Sequence, residues 1–214
     1  MTGKPRAPRS AGRAPSGPKL SRLASRGEGR PNSRPGGLEI SNQQRSVRVT
    51  RDEIRRIVRA VLEAERVERA TISVTLTDNA TVRRVNREFL RHDYDTDVLS
   101  FLFESPRVAA REKTPGAARR GHGRHIDGEV LVSAEMAAER AGQFGWSGRD
   151  ELTLYLVHGL LHLCGYDDQT PPERRVMRGR ERTILADLGI GTARGIGSGG
   201  RVGRCALAKN GTRS

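Results

Sequence analysis

Hydrophobic positions recur along this chain with two different periods. Ile54, Ile57, Val58, Val61 and Leu62 fall at helical spacing, and Thr50 followed by Glu53 is a capping-box signature, so a first helix is predicted over about residues 51–66. Residues 71–77 alternate instead, with Ile72, Val74 and Leu76 on one face, the mark of a half-buried strand. Asp78 or Thr77 caps a short helix through Val82, Val85 and Phe89. The VLSFLF run at Val98–Phe103 is apolar enough for a strand buried on both faces. A strand resumes over 126–132, and Ser133 caps a helix from Ala134 to about Gly142 with Met136, Ala137 and Ala141 inward. A further helix runs from about Gly148 to Cys164. Thr170, Pro171 and Glu173 supply N-cap, N1 and N3 of a last one, which carries Val176, Met177, Ile184 and Leu185 and stops near Gly189. Strands alternating with helices predict an α/β fold: a small mixed, largely parallel sheet packed with helices, in a single domain over 48–190.

The flanks carry no such period. Residues 1–47 are rich in Arg, Pro, Gly and Ser and cannot bury enough apolar surface to offset ordering, so they read as a disordered basic arm. An organellar transit peptide shares that composition, but the Pro and Gly content argues against an amphipathic helix. Residues 191–214 read as a disordered basic tail with nothing to pack. Between Glu104 and His125 lies a long Pro-, Gly- and Arg-rich loop, whose His122 and His125 are expected to be solvated rather than ligands.

Charge changes the picture only at these ends. The net charge is +14, yet residues 1–37 hold nine Lys or Arg against the single acid Glu28, and residues 191–214 hold five against none, leaving the middle close to neutral. A polyanionic partner is therefore implied for the tails and not by itself for the folded domain. Two cysteines, Cys164 and Cys205, make no disulfide framework and fit a reducing compartment. No run of apolar residues is long enough for a membrane span and no secretory signal is visible, so a soluble, cytoplasmic protein without membrane contact is expected.

The stretch with chemistry is LVHGLLHLCGYDD at 156–168. On a helix, His158 and His162 leave the same face one turn apart, the geometry of a two-histidine metal clamp, and the surrounding leucines leave uncharged imidazoles few other partners. Gly165 reads as the helix stop that returns Asp167 or Asp168 toward the histidines. Two imidazoles, one carboxylate and an open position suit Zn²⁺ acting on water, whose pKa falls from about 15.7 toward about 7, so hydrolysis is the reaction class. A peptidase of the H-E-x-x-H kind is disfavoured because Gly159 stands where its general-base glutamate would be.

The same stretch, with TDVLSF at 96–101, DGEV at 127–130 and Met177, resembles the YbeY family of bacterial endoribonucleases over roughly residues 50–190. The resemblance implies a metal-dependent endoribonuclease specific for single-stranded RNA. It also implies a role in 3′-end maturation of small-subunit ribosomal RNA and in ribosome quality control, with the small ribosomal subunit as partner. It carries the ligand positions over as His158, His162 and Asp168. Asp167 matches the family's aspartate, but Asp168 stands where the family usually has a third histidine, which keeps Zn²⁺ and widens the choice to Mn²⁺ or Fe²⁺. The family's functional arginine, counted without a gap, falls on Leu90; Arg91 beside it is the candidate catalytic cation, alongside His158. The rival expectation is a non-catalytic ribosome-assembly factor that binds RNA through its basic tails and holds a structural metal.

Overall fold

The computed structural model describes residues 37–103, 120–191 and 206–209. Five strands and five helices follow in chain order: β1 (Leu38–Asn42), α1 (Arg51–Ala64), β2 (Arg69–Thr77), α2 (Asn79–Val85), β3 (Val98–Phe103), β4 (His125–Ser133), α3 (Ala134–Ala141), α4 (Gly148–Leu163), α5 (Pro171–Asp187) and β5 (Ala206–Lys209). A π-helical turn, Asn86–Leu90, extends α2, and a 3₁₀ turn, Gly142–Phe144, extends α3. The sheet order is β1-β2-β4-β3-β5. β1, β2 and β4 are mutually parallel, β3 is antiparallel to β4, and β5 is parallel to β3. The fold is thus the α/β arrangement expected, with a mixed sheet.

Local signals set the helix boundaries. Thr50, Ser147 and Thr170 each accept from the N3 backbone amide while the N3 carboxylate of Glu53, Asp150 or Glu173 reaches back, three complete capping boxes. Asp78 and Ser133 cap α2 and α3. Two departures concern the flanks. Residues 38–42 were expected to be part of the disordered arm but form β1, which pairs in parallel with β2. Ala206–Lys209, within the tail expected to pack against nothing, adds to β3 as β5. In both cases the hydrogen-bonding edge of an existing strand supplies what a short segment's own pattern cannot. The remainder of the basic arm, residues 104–119 of the long loop and the rest of the tail lie outside the described residues.

Register divides the sheet into two faces. Val98, Ser100 and Leu102 of β3 stand opposite Val132, Val130 and Gly128 of β4, which align with Leu76, Val74 and Ile72 of β2. This face is covered by α1, α3 and α4, with α5 packed on α1 and α4, around one core of Ile54, Val61, Leu156, Leu160, Met177 and their neighbours. On the opposite face Phe101 meets Phe89 of the π-helical turn edge to face, ring centroids 6.0 Å apart.

Helix α4 is central, touching α1, α3, α5, β3 and β4. Every residue from Glu151 to Leu163 is buried. Its approach to the sheet requires Gly159: a Cβ there would lie 2.7 Å from Val130 Cγ1, 2.8 Å from Val98 Cγ2 and 3.0 Å from Ser100 Oγ. Ser100 Oγ uses the closeness to donate to the Gly159 carbonyl at 2.9 Å. The roughly 1 kcal/mol that glycine costs a helix interior is thereby exchanged for helix-to-sheet contact.

Candidate metal centre

The two imidazoles of α4 are almost fully buried, His158 at 2% and His162 at 1% exposure. Both rings are held through Nδ1. His162 Nδ1–H donates to the Tyr166 carbonyl at 3.0 Å, and His158 Nδ1–H donates to Glu181 Oε1 at 2.6 Å. A carbonyl or a carboxylate can only accept, so these partners fix the proton on Nδ1 and turn both Nε2 lone pairs inward. The two Nε2 atoms are 3.1 Å apart. Two lone pairs converging at that separation in an apolar surround repel unless a cation lies between or beside them.

The third donor comes from the chain reversal after α4. Gly165 has φ +95°, a conformation L side chains rarely adopt, and the Tyr166 amide bonds back to the Leu161 carbonyl at 3.1 Å, which closes the helix in a Schellman pattern. The return brings Asp168 Oδ1 to 3.9 Å from His162 Nε2. Ligand atoms of His158, His162 and Asp168 all lie within 4.8 Å of one another. Asp167, the other acid the sequence offered, instead accepts from the Asp168 amide at 2.9 Å. The donor set fits a divalent cation: two neutral imidazoles supply soft nitrogen, Asp168 supplies one charge, and Glu181 behind His158 supplies the carboxylate–histidine pairing typical of metal sites.

A second layer holds the reversal in place. Tyr166, whose carbonyl anchors His162, donates its hydroxyl to Glu65 Oε2 at 2.9 Å, and Arg180 of α5 closes on Glu65 Oε1 through Nε at 2.8 Å and Nη2 at 2.7 Å. Burial pushes the Tyr166 hydroxyl up to about 12, so it stays a donor. Arg124 and Arg120 donate to the Cys164 and Gly165 carbonyls at 2.7 and 3.0 Å, satisfying the open end of α4. Arg120 also lies 5.1 Å from the Tyr166 ring centroid. Cys164, inside the motif, is buried and its thiol is pushed up by burial to about 12, so it supplies no thiolate ligand.

Not every expected residue joins the centre. Arg91 is exposed at the C-terminal end of the π-helical turn with φ +58°, and among the described residues it has no ion pair. His122 is exposed, and His125 opens β4 with Nε2 3.5 Å from Glu68 Oε1; neither is among the clustered ligands. Sequence reading missed Glu181. Its one signal was an acid inside the apolar stripe Met177, Ile184, Leu185, where a solvated glutamate does not belong.

Comparison with known proteins gives the chain a family. The profile of the family described as Endoribonuclease YbeY matches residues 39–189. A Salinibacter ruber protein named Endoribonuclease YbeY is 41% identical over 156 residues, covering 72% of this chain and 94% of its own. A Geobacillus kaustophilus protein of the same name is 35% identical over 151 residues, covering 66% of this chain and 90% of its own. A solution structure from Thermotoga maritima aligns with 77% of this chain and 100% of its own at 18% identity and a TM-score of 0.44. With a family profile spanning most of its length and relatives this similar, the chain belongs to the Endoribonuclease YbeY family.

Proposed function

We propose that this protein is a metal-dependent endoribonuclease that cuts single-stranded RNA, with one Zn²⁺ per chain held by His158, His162 and Asp168. Mn²⁺ or Fe²⁺ are the alternatives that the carboxylate donor favours. The observation that carries the reading is the pair of imidazoles whose Nδ1 atoms are both committed to acceptors and whose Nε2 atoms converge at 3.1 Å, in a chain of an endoribonuclease family.

When bound, such an ion supplies Lewis acidity that polarises a phosphoryl oxygen and makes hydroxide accessible at neutral pH. The chain's own residues do the rest. Glu181 and the Tyr166 carbonyl keep each imidazole in one tautomer and orientation, so no rotamer freedom is lost on binding. The leucines around α4 lower the local dielectric and strengthen every charge interaction at the site. Arg91 is assigned to hold the scissile phosphate, since its guanidinium matches phosphate bidentately and no carboxylate among the described residues competes for it.

In the cell the substrate proposed is ribosomal RNA, at the 3′ end of the small-subunit species, with the small ribosomal subunit as partner and ribosome quality control as context. The site of action proposed is the cytoplasm; among the described residues no helix is long and apolar enough to cross a membrane.

The test is cleavage of single-stranded RNA by purified protein. His158→Ala abolishes cleavage while circular dichroism and RNA binding stay nearly unchanged. If His158→Ala cuts RNA as the parent does, the reading fails. If tail-deleted protein alone loses function, an assembly factor working through its basic ends replaces it.

A further inference from the structure

The segment between the end of α2 and the start of β3 concentrates features that the metal centre does not explain. Two large hydrophobic side chains are exposed among the described residues, and one is Tyr94, at 41%. Its ring is stacked on His92, centroids 5.2 Å apart and planes 23° from parallel, with the hydroxyl 3.2 Å from His92 Nδ1. Both residues are exposed, so the stacked pair lies at the surface.

The segment is tethered at three successive residues, at Asp93 and Asp95 through exposed side chains and at Tyr94 through its backbone carbonyl. Arg83 bonds Asp93 at 2.9 Å and lies 3.7 Å from Asp95, and between them the Tyr94 carbonyl accepts from Asn86 Nδ2 at 3.0 Å. Asn86 is fully buried, and its Oδ1 has no hydrogen-bond partner among the described residues. It opens the π-helical turn, a departure from α-helix that recurs at functional sites, and the turn ends on Arg91 in the left-handed region. A buried asparagine, an irregular turn and a left-handed arginine therefore support a loop whose backbone is tied down while its aromatic pair projects outward. Burying Tyr94 would have gained apolar contact; instead the fold exposes it, on a stretch of chain that also carries the exposed cations Arg87 and Arg91.

We infer that the His92–Tyr94 pair is a stacking platform for a nucleobase of single-stranded RNA, with Arg91 meeting the adjoining phosphate. The inference rests on the RNA reading above. An unpaired base offers a flat π-face whatever its identity, so such a platform binds single strands with little sequence preference. A short span of chain links the platform to the helix-to-sheet contact beside the histidines. Tyr94 is four residues from Val98, at most about 14 Å of extended backbone, and Val98 packs against Gly159, the neighbour of His158.

The experiment compares the full-length wild type with Tyr94→Ala, Tyr94→Phe and Tyr94→Trp on a single-stranded oligoribonucleotide and on the same oligomer carrying abasic positions. Tyr94→Ala raises the KM for the intact oligomer about tenfold, the size expected for one lost base stack. Phe and Trp restore the wild-type value, and wild type and Tyr94→Ala bind the abasic oligomer alike. An unchanged KM in Tyr94→Ala, or an equal loss on the abasic oligomer, overturns the platform while leaving the nuclease assignment standing. Loss of self-association in sedimentation without any change toward RNA makes the pair a protein contact and overturns it too. A wild type that neither binds nor cuts RNA overturns both the platform and the nuclease assignment.

Discussion

Helices α1 and α4 begin alike and differ in how much of their surface is buried. Each opens with a complete capping box, and each is long enough to be read from its first turn. In α1 only Ile54, Ile57, Val58 and Val61 are buried, and its arginines face water. In α4 the burial is continuous from Glu151 to Leu163 and includes Glu151, Thr153, His158 and His162. The polar side chains of α1 need no partner, because water is one. Those of α4 each need a reason to be there. Thr153 bonds the Arg149 carbonyl at 2.8 Å, which is local and structural. Burial raises the Glu151 carboxyl above its ordinary value, a standing cost of its position. The histidines have built partners behind them and Nε2 atoms converging in front, the arrangement on which the proposed metal centre rests.

The contrast can be broken most severely at Gly159. Alanine there gains about 1 kcal/mol of helix propensity, but its Cβ meets Val130 and Val98 below 3 Å, and β-branched side chains cannot rotate away. A net destabilisation of about 1–3 kcal/mol is expected, read by urea unfolding. A neutral or stabilised variant would show that α4 is free to lift from the sheet. The matching change on α1 is Arg55→Ala. Its ion pair with Asp52 is exposed on both sides, so the same assay should register no more than about 0.5 kcal/mol.

How much of this was legible depends on where each segment's stability resides. α1, β2, β3 and α4 carry their own signal, because a capping residue and a period are properties of the segment itself. β1 and β5 carry almost none; five and four residues in an Arg-, Gly- and Pro-rich context become strands only through the edge they join. The π-helical turn was equally invisible, since Asn86–Leu90 continues the apolar spacing of α2 and nothing local announces the extra residue. In the site, His158 and His162 were legible from one helical turn, whereas the glycine stop left Asp167 or Asp168 open and only the family resemblance singled out Asp168. Glu181, the Tyr166 carbonyl and the arginines that cap α4 were not legible, because they arrive from other elements and no sequence spacing links them. The family resemblance pointed to an arginine near Leu90, and Arg91 is exposed at the end of the π-helical turn.

The central claim is that a divalent cation is held by the two imidazoles and Asp168, and metal analysis of the purified, folded protein tests it most directly. The expected result is close to one transition-metal ion per chain, weaker retention in Asp168→Ala and at least equal zinc retention in Asp168→His. A well-folded protein free of bound metal, whose cutting of RNA is untouched by chelator, would contradict the account.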